Sequence, residues 1–156
     1  MIKVKALGLL FREQEMLVEA YYGKHSKGFG SYYRPLGGNI EVGEHSKVTV
    51  VREYKEELGI EVDVNQYLTC LENRFQIGQE WSHEMIQIYT VSFGDPKYYE
   101  KDTYSFLEHD AVAKWISIKD VVDGNIHRYP NDLGVVLKRM TKQDNESCHY
   151  HDDTVT

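Results

Sequence analysis

The 156-residue chain has the length of one ordinary domain, and its 41% hydrophobic content is typical of a folded globular protein. Its 25 acidic and 18 basic residues give a formal charge of -7, which argues against a broad surface for the phosphate backbone of duplex nucleic acid. No apolar run reaches the roughly 18 residues that a membrane helix needs, and charged residues at 12, 13 and 15 interrupt the first apolar segment. We therefore expect a cytoplasmic protein whose partners include neither a membrane nor duplex nucleic acid.

The N-terminal region is predicted to form a β-hairpin. Apolar and β-branched residues dominate Ile2 to Phe11 and Met16 to Tyr22, and the polar segment 12–15 separates them. Gly23 to Ser31 contains three glycines among polar residues, so it is predicted to be an exposed and mobile loop. A short extended segment, Tyr32 to Leu36, is expected to follow.

Residues Ser46 to Leu58 are predicted to form a helix. The β-branched residues at 48–51 disfavour a helix locally, but Ser46 can serve as N-cap and Gly59 as the C-terminal stop. Four apolar residues recur at helical spacing, namely Val48, Val51, Tyr54 and Leu58. This side of the helix is therefore expected to pack on a sheet.

The second half of the chain is predicted to be mainly β-structure that ends in short helices. The predicted strands are Ile60 to Val64, Leu68 to Phe75, Met85 to Phe93 and Ala113 to Ile116. The predicted helices are Lys119 to Val122 and Asp132 to Met140. From Thr141 onward the chain is polar, so we expect one domain over residues 1–140 and a disordered tail over 141–156. Cys148, His149 and His151 are interpreted as part of this tail and not as a metal site.

The segment from Gly37 to Ile60 reads GGNIEVGEHSKVTVVREYKEELGI and concentrates acidic side chains. On a helix, Glu53, Glu56 and Glu57 occupy positions i, i+3 and i+4, so their carboxylates lie on one side. Like charges at this spacing repel, and a hard divalent cation relieves the repulsion. Mg²⁺ fits best because it binds one or two carboxylates and takes further ligands from water and substrate phosphate, with Mn²⁺ as a substitute. The alternative is a solvated helix face without a metal.

The same segment resembles the Nudix box. Gly38 is followed after five residues by Glu44 and after seven more by Arg52-Glu53, and the pattern ends with Tyr54, Glu56-Glu57, Gly59 and Ile60. Tyr54 stands where an aliphatic residue is usual. The resemblance implies an α/β fold over residues 2–140: a Nudix-type α/β/α sandwich with a mixed β-sheet and a loop-helix-loop catalytic motif. It also implies hydrolysis of a diphosphate linkage with the help of metal ions.

Roles for the residues of the motif follow from this resemblance. The implied metal ligands and catalytic residues are Glu53, Glu56 and Glu57, joined by a backbone carbonyl of Gly37 or Gly38. Arg52 resembles an arginine that orients a neighbouring glutamate by charge-assisted hydrogen bonds, and a surface ion pair is its alternative role. Glu44 resembles a glutamate that braces the loop-helix-loop from behind the ligands.

Candidates outside the motif are fewer. The proton acceptor is expected to be either a helix glutamate or a carboxylate from a late loop, and the late-loop candidates, in order, are Glu108, Asp110 and Glu100. Arg34 adjoins the glycine pair and is the first candidate for contact with substrate phosphate, followed by Lys24 and Lys27. His83 and Glu84 begin a strand that resembles one of a strand pair in a Nudix subgroup, so they are candidate substrate-binding residues, with cross-strand pairing as the alternative.

The expected function is that of a magnesium-dependent pyrophosphohydrolase. Its substrate is expected to be a small-molecule nucleoside diphosphate linked to another moiety, such as a nucleotide sugar, ADP-ribose, a (d)NTP or a dinucleotide. The motif binds the diphosphate that these compounds share, so it does not select among them. The alternative is a non-catalytic module that senses or binds nucleotide metabolites in the same pocket. A homodimer is the assembly left open.

Overall fold

The computed structural model describes residues 1–146. Within them the chain forms an eight-stranded mixed sheet and three α-helices. The strands are β1 Ile2–Arg12, β2 Glu15–His25, β3 Gly28–Arg34, β4 Leu36–Asn39, β5 Val62–Ile77, β6 Glu80–Phe93, β7 Thr103–Ser105 and β8 Val112–Ser117. The helices are α1 Ser46–Leu58, α2 Ile118–Asp123 and α3 Leu133–Glu146, and a short 3₁₀ helix spans Pro96–Glu100.

The main path of the sheet runs β5-β6-β1-β2-β8-β7, with β3 paired to β2 and β4 paired to β1. The β1–β6 pair is parallel and the other pairs are antiparallel. Successive residues of a strand point to opposite faces. Accordingly, Ala6 packs in the same core as Tyr54 of α1, whereas Leu7 packs in a second core with Leu133 of α3. The predicted α/β/α sandwich is therefore confirmed.

Helix α1 has the predicted bounds, but its buried side differs from the predicted one. Val50 is fully buried, whereas Val48 is 55% exposed, so the expected role of Val48 in the core is wrong. The reason is a close approach to β1, because a Cβ on Gly8 would lie 2.7 Å from Cγ1 of Val50. The hydroxyl of Tyr54 donates to the carbonyl of Gly8 at 2.8 Å, which explains how a tyrosine fits at this core position.

The ends of α1 are capped by neighbouring residues. Gly59 ends the helix in the left-handed conformation, with φ of 72°, as predicted. At the start, the N-cap is His45, whose Nδ1 accepts from the backbone N–H of Lys47 at 3.0 Å, so the prediction of Ser46 as N-cap is wrong. The hydroxyl of Ser46 instead hydrogen-bonds the hydroxyl of Tyr89 at 2.6 Å, which ties the helix start to β6.

The predicted mobile loop at 23–31 is wrong. Strand β2 continues to His25, and β3 returns antiparallel from Gly28, with Tyr22 opposite Ser31 and Gly23 opposite Gly30. The glycines lie inside the paired strands and take positive φ angles there, so their conformational freedom serves a distorted hairpin. Hairpin β2–β3 is the name used below for residues 15–34.

Long-range pairing also extends the later elements. The two strands predicted over 60–75 form one strand, β5, which pairs with β6 and contains two irregularities between Val64 and Thr69. Helix α3 runs to Glu146, six residues beyond the predicted helix end at Met140. The division into a domain and a tail stays a prediction, and Cys148, His149 and His151 lie outside the described residues. No helix within residues 1–146 is long and apolar enough to cross a membrane.

Candidate active site

Strand β4 brings the glycine pair against the acidic side of α1. A Cβ on Gly38 would lie 2.4 Å from Oε1 of Glu53, so only a glycine leaves room for this carboxylate. Gly37 has φ of 155°, and a Cβ there would lie 2.1 Å from the carbonyl oxygen of Ala6 on β1. The strand is therefore fixed between β1 and the helix, with its backbone close to the glutamate.

Arg52 is the centre of a hydrogen-bond network on this side of α1. Its Nε donates to Oε2 of Glu44 at 2.7 Å, and its Nη2 donates to Oε1 at 2.9 Å, a bidentate arrangement. Its Nη1 donates to Oε1 of Glu53 at 3.0 Å and to Oε1 of Glu56 at 3.3 Å. Nη2 also donates to the carbonyl of Asn39 at 3.1 Å. One guanidinium therefore positions two carboxylates of the helix and the end of β4.

Glu44 anchors this network from the loop that precedes α1. Its carboxylate also accepts from the hydroxyl of Thr49 at 2.7 Å and from the backbone N–H of Glu41 at 3.2 Å. Hydrogen bonds from Arg52 and then from Thr49 lower the pKa of Glu44 to about 2. Glu44 is therefore ionised at neutral pH and committed to its protein partners.

Glu57 lacks such partners. Its Oε1 is buried and accepts no hydrogen bond from residues 1–146. Burial, followed by the charges of Glu53 and Glu19, raises the pKa of Glu57 to about 8, and burial also raises the pKa of Glu53. Two partly buried carboxylates that resist ionisation together are what a nearby divalent cation would stabilise.

The arrangement also fits a hard cation by its donor types. Carboxylate oxygens and the backbone carbonyls of β4 are the ligands that Mg²⁺ prefers. In the described part of the chain, however, no three His, Cys, Asp or Glu side chains already form a metal-binding group. The hydrogen bonds of Arg52 account for this, because they hold Glu53 and Glu56 toward the guanidinium. The residues therefore fit a cation whose binding must compete with Arg52.

Glu19 is a residue of this region that the sequence analysis missed. It lies in β2 opposite Arg34 of β3, is only 7% exposed, and accepts from Nε of Arg34 at 2.9 Å. Both charges act on Glu57, since Glu19 raises its pKa and Arg34 lowers it. An acid in the apolar run 16–20 was the available signal, because a buried charge requires a partner.

Arg34 also lines a pocket of about 220 Å³. Hairpin β2–β3 forms one wall, and Lys5 of β1, strands β5 and β6, and Tyr129 contribute the rest. Glu84 lines this pocket and is 3% exposed, with Lys5 Nζ at 3.1 Å from its Oε2. The structure thus brings together Arg34 and Glu84, two of the predicted substrate-binding residues, and it adds Lys24 at the rim.

Two other predicted residues lie elsewhere. His83 points to the face of β6 opposite to Glu84, where its Nε2 lies 2.5 Å from Oε2 of Glu72, so the alternative of cross-strand pairing describes it. Glu108 is exposed in the loop between β7 and β8, and within residues 1–146 it forms no ion pair or side-chain hydrogen bond. The backbone N–H of its neighbour Leu107 donates to the carbonyl of Glu57 at 2.8 Å, so this loop docks on the end of α1.

Comparison with solved structures finds the same fold in many proteins. A MutT NUDIX hydrolase from Burkholderia pseudomallei superposes with a TM-score of 0.63 at 16% identity, covering 88% of this chain and 97% of the other. A NUDIX hydrolase from Nitrosomonas europaea superposes with a TM-score of 0.60 at 17% identity, covering 99% of this chain and 100% of the other. An ADP-ribose pyrophosphatase from Streptococcus suis superposes with a TM-score of 0.57 at 17% identity, covering 90% of this chain and 92% of the other.

A comparison with curated proteins returns no match. The family model of the NUDIX domain, in contrast, matches residues 1–140, which is most of the chain. The matched region contains both the glycine pair of β4 and the acidic side of α1 described above. The chain belongs to the Nudix hydrolase family.

Proposed function

We propose that this Nudix hydrolase is a magnesium-dependent pyrophosphohydrolase that cleaves the diphosphate linkage of a small-molecule nucleoside diphosphate derivative. The main support is an arrangement within one short stretch of chain: Arg34 lines the pocket, and Gly38, four residues later, packs against the carboxylate of Glu53 on α1. A diphosphate bound at Arg34 would have a carboxylate cluster on one side and a cavity for its attached group on the other. This is the arrangement that cleavage at the diphosphate requires.

Glu53, Glu56 and Glu57, with a backbone carbonyl of Gly37 or Gly38, are the residues that would hold Mg²⁺, and Mn²⁺ is the expected substitute. When bound, the cation supplies positive charge to the phosphate oxygens and makes a bound water more acidic. Arg52 fixes the positions of Glu53 and Glu56, and Glu44 fixes Arg52. The motif therefore consists of ligands and of an ion pair that orients them.

Arg34 is the proposed contact of the protein with the diphosphate oxygens. Its Nε is occupied by Glu19, which leaves the two terminal nitrogens of the fork for an anion. Because Glu19 is buried and Arg34 is 43% exposed in its side chain, the carboxylate is the fixed partner and the guanidinium the one that meets the substrate. Glu19 is thus proposed as the residue that positions Arg34.

In the proposed reaction, the oxygen of a water molecule forms a bond to one phosphorus of the diphosphate, and the bridging P–O bond breaks. The proton of the water passes to a carboxylate. A glutamate of α1 is the first candidate acceptor. Glu108 is the second candidate, because its loop docks on the end of α1 through Leu107.

The substrate class remains a nucleotide sugar, ADP-ribose, a (d)NTP or a dinucleotide. One structural neighbour is named as an ADP-ribose pyrophosphatase, but at 17% identity it shows the shared fold alone and does not select among these classes. A module that binds a nucleotide metabolite without turnover is the alternative function, and it would use the same pocket. A homodimer stays a prediction.

Hydrolysis of a panel of these compounds with Mg²⁺, followed by phosphatase-coupled release of phosphate, tests the proposal. We expect one class to be hydrolysed, and Glu56→Gln or Glu57→Gln to lower kcat at least about a hundredfold because each removes a proposed ligand. Glu72→Gln is the matched control, since Glu72 is an exposed glutamate on β5 that pairs with His83. Tight binding of a nucleotide without hydrolysis would favour the sensing module.

A further inference from the structure

The inner wall of the pocket contains a buried carboxylate with unused acceptor capacity. Oε1 of Glu84 accepts a hydrogen bond from the hydroxyl of Tyr129, and Oε2 forms an ion pair with the ammonium of Lys5. A carboxylate has about four acceptor sites, so these two donors leave one site on each oxygen. Tyr129 and Lys5 also fix the orientation of the carboxylate. Glu84 therefore presents two neighbouring acceptors from a rigid position in the pocket wall.

His25 contributes an unpaired donor to the opposite wall. It is 6% exposed, and its Nδ1 accepts from the backbone N–H of Lys27 at 3.2 Å, which leaves the proton on Nε2. Burial, followed by the charge of His127, lowers the pKa of His25, which favours the neutral ring. Its Nε2 is buried without a hydrogen-bond partner among residues 1–146. A buried N–H of this kind is stabilised by a ligand that offers an acceptor.

Aromatic rings also line the pocket. The rings of His25 and Tyr32 stack on each other at 4.5 Å with 13° between their planes, and Phe75 and Tyr129 meet edge to face at 6.2 Å. Aromatic side chains bind nucleobases by stacking. The volume of about 220 Å³ lies below the roughly 300–1,000 Å³ of sites that enclose a whole drug-sized ligand. One base fits this pocket better than a complete nucleotide does.

We propose that Glu84 is the specificity-determining residue of this pocket and selects a base with two adjacent N–H donors, as guanine has in its ring imino and 2-amino groups. The proposal rests on the proposed function in that the substrate is a nucleotide. Two parallel N–H groups match the two free acceptor sites of the carboxylate. The carbonyl oxygen of the base would accept a hydrogen bond from Nε2–H of His25. Adenine, cytosine and uracil each turn at least one acceptor toward the negative charge at this edge, which disfavours them.

Binding of nucleoside 5′-monophosphates to the full chain, measured by calorimetry without metal, tests this selectivity. GMP and IMP share the imino and carbonyl groups, but IMP lacks the 2-amino group. We expect GMP to bind at least about tenfold more tightly than IMP, because IMP lacks one hydrogen bond to a charged acceptor; tenfold corresponds to about 1.4 kcal/mol. AMP, CMP and UMP should bind more weakly still. Equal affinity for GMP and IMP, or no binding of GMP, would overturn the proposal.

Glu84→Gln should reduce the GMP preference to less than about threefold, whereas Glu72→Gln should retain it. If Glu84→Gln does not fold, the comparison of GMP with IMP on the unchanged protein still decides the question, and Tyr129→Phe, which frees one oxygen of Glu84, should keep the preference for GMP. Hydrolysis is measured separately on guanosine and inosine diphosphate sugars. A GMP preference without hydrolysis would refute the proposed function alone, and hydrolysis without any GMP preference would refute this inference alone.

Discussion

Both oxygens of Glu44 accept hydrogen bonds from Arg52, at 2.7 and 2.9 Å, and this pair connects the loop after β4 to the middle of α1. The same guanidinium contacts the carboxylates of Glu53 and Glu56. The positions of two proposed metal ligands thus depend on an ion pair that is itself not proposed to bind the metal.

We predict that Arg52→Lys lowers kcat at least about tenfold and has only a small effect on the melting temperature. A lysine ammonium is a single point charge and cannot bridge Glu44, Glu53 and Glu56 in the way a planar fork does. Steady-state kinetics with the substrate found in the panel would measure this. Arg74→Lys, at an exposed position of β5, is the control and should retain native turnover. An unchanged kcat in Arg52→Lys would show that the network does not orient the ligands.

The lowered pKa of Glu44 predicts a pH-dependent contribution to the free energy of unfolding. The folded-state pKa is about 2 and the ordinary value is 4.5, so the stabilisation is fully present above pH 4.5 and is lost as the pH falls toward 2. Glu44→Gln should therefore destabilise the protein at pH 6, and the difference from the native protein should shrink between pH 4.5 and pH 2. Urea denaturation at several pH values measures this difference. A difference that stays constant over this range would contradict the prediction.

Gly38→Ala should lower activity strongly, because its Cβ would lie 2.4 Å from Oε1 of Glu53 and would displace that carboxylate. The larger Gly38→Val should also lower the melting temperature. Gly94→Ala is a suitable control, since a Cβ at Gly94 would meet its nearest atom at 3.7 Å, an ordinary contact. Native activity in Gly38→Ala would show that the closeness of β4 to Glu53 is not needed for catalysis.

Divalent metal should raise the melting temperature of the native protein and fail to do so in the Glu53→Gln/Glu57→Gln double variant. A cation that binds only the folded state at ten times its Kd adds about 1.4 kcal/mol of stability. For a domain of this length the shift is about 3–6 °C, which a dye-based melt resolves. Mn²⁺ should be tested beside Mg²⁺. Equal shifts in both proteins would mean that the cation binds outside α1.

The local features of the site were predictable from the sequence, because they depend on spacing within one short segment. The bounds of α1, and the positions of Glu53, Glu56 and Glu57 along one side of it, follow from the helical repeat and from Gly59 as a stop. The family resemblance supplied the glycine pair. Its closeness to Glu53 needs the β1–β4 pairing, which no local pattern encodes.

The predictions that were wrong concern features that depend on contacts between distant segments. Val50 is buried in place of Val48 because Gly8 of β1 allows a close approach of the helix. Gly23, Gly28 and Gly30 favour a loop by local pattern, whereas the pairing of β2 with β3 makes residues 23–31 part of a hairpin. The role of Glu19 was not predicted for the same reason, since its partner Arg34 is fifteen residues away along the chain.

The two walls of the pocket belong to different stretches of the chain from the acidic helix. His25 and Tyr32 lie on hairpin β2–β3, whereas the proposed metal ligands lie between residues 37 and 57, and Arg34 is the residue between them. In the proposed enzyme, ligand preference can therefore change without any change in the proposed metal ligands. Relatives can therefore keep the same reaction and differ in ligand preference through residues of the pocket walls, such as Glu84 and the hairpin residues 23–31. Substitution at these positions is the corresponding route for engineering a new preference.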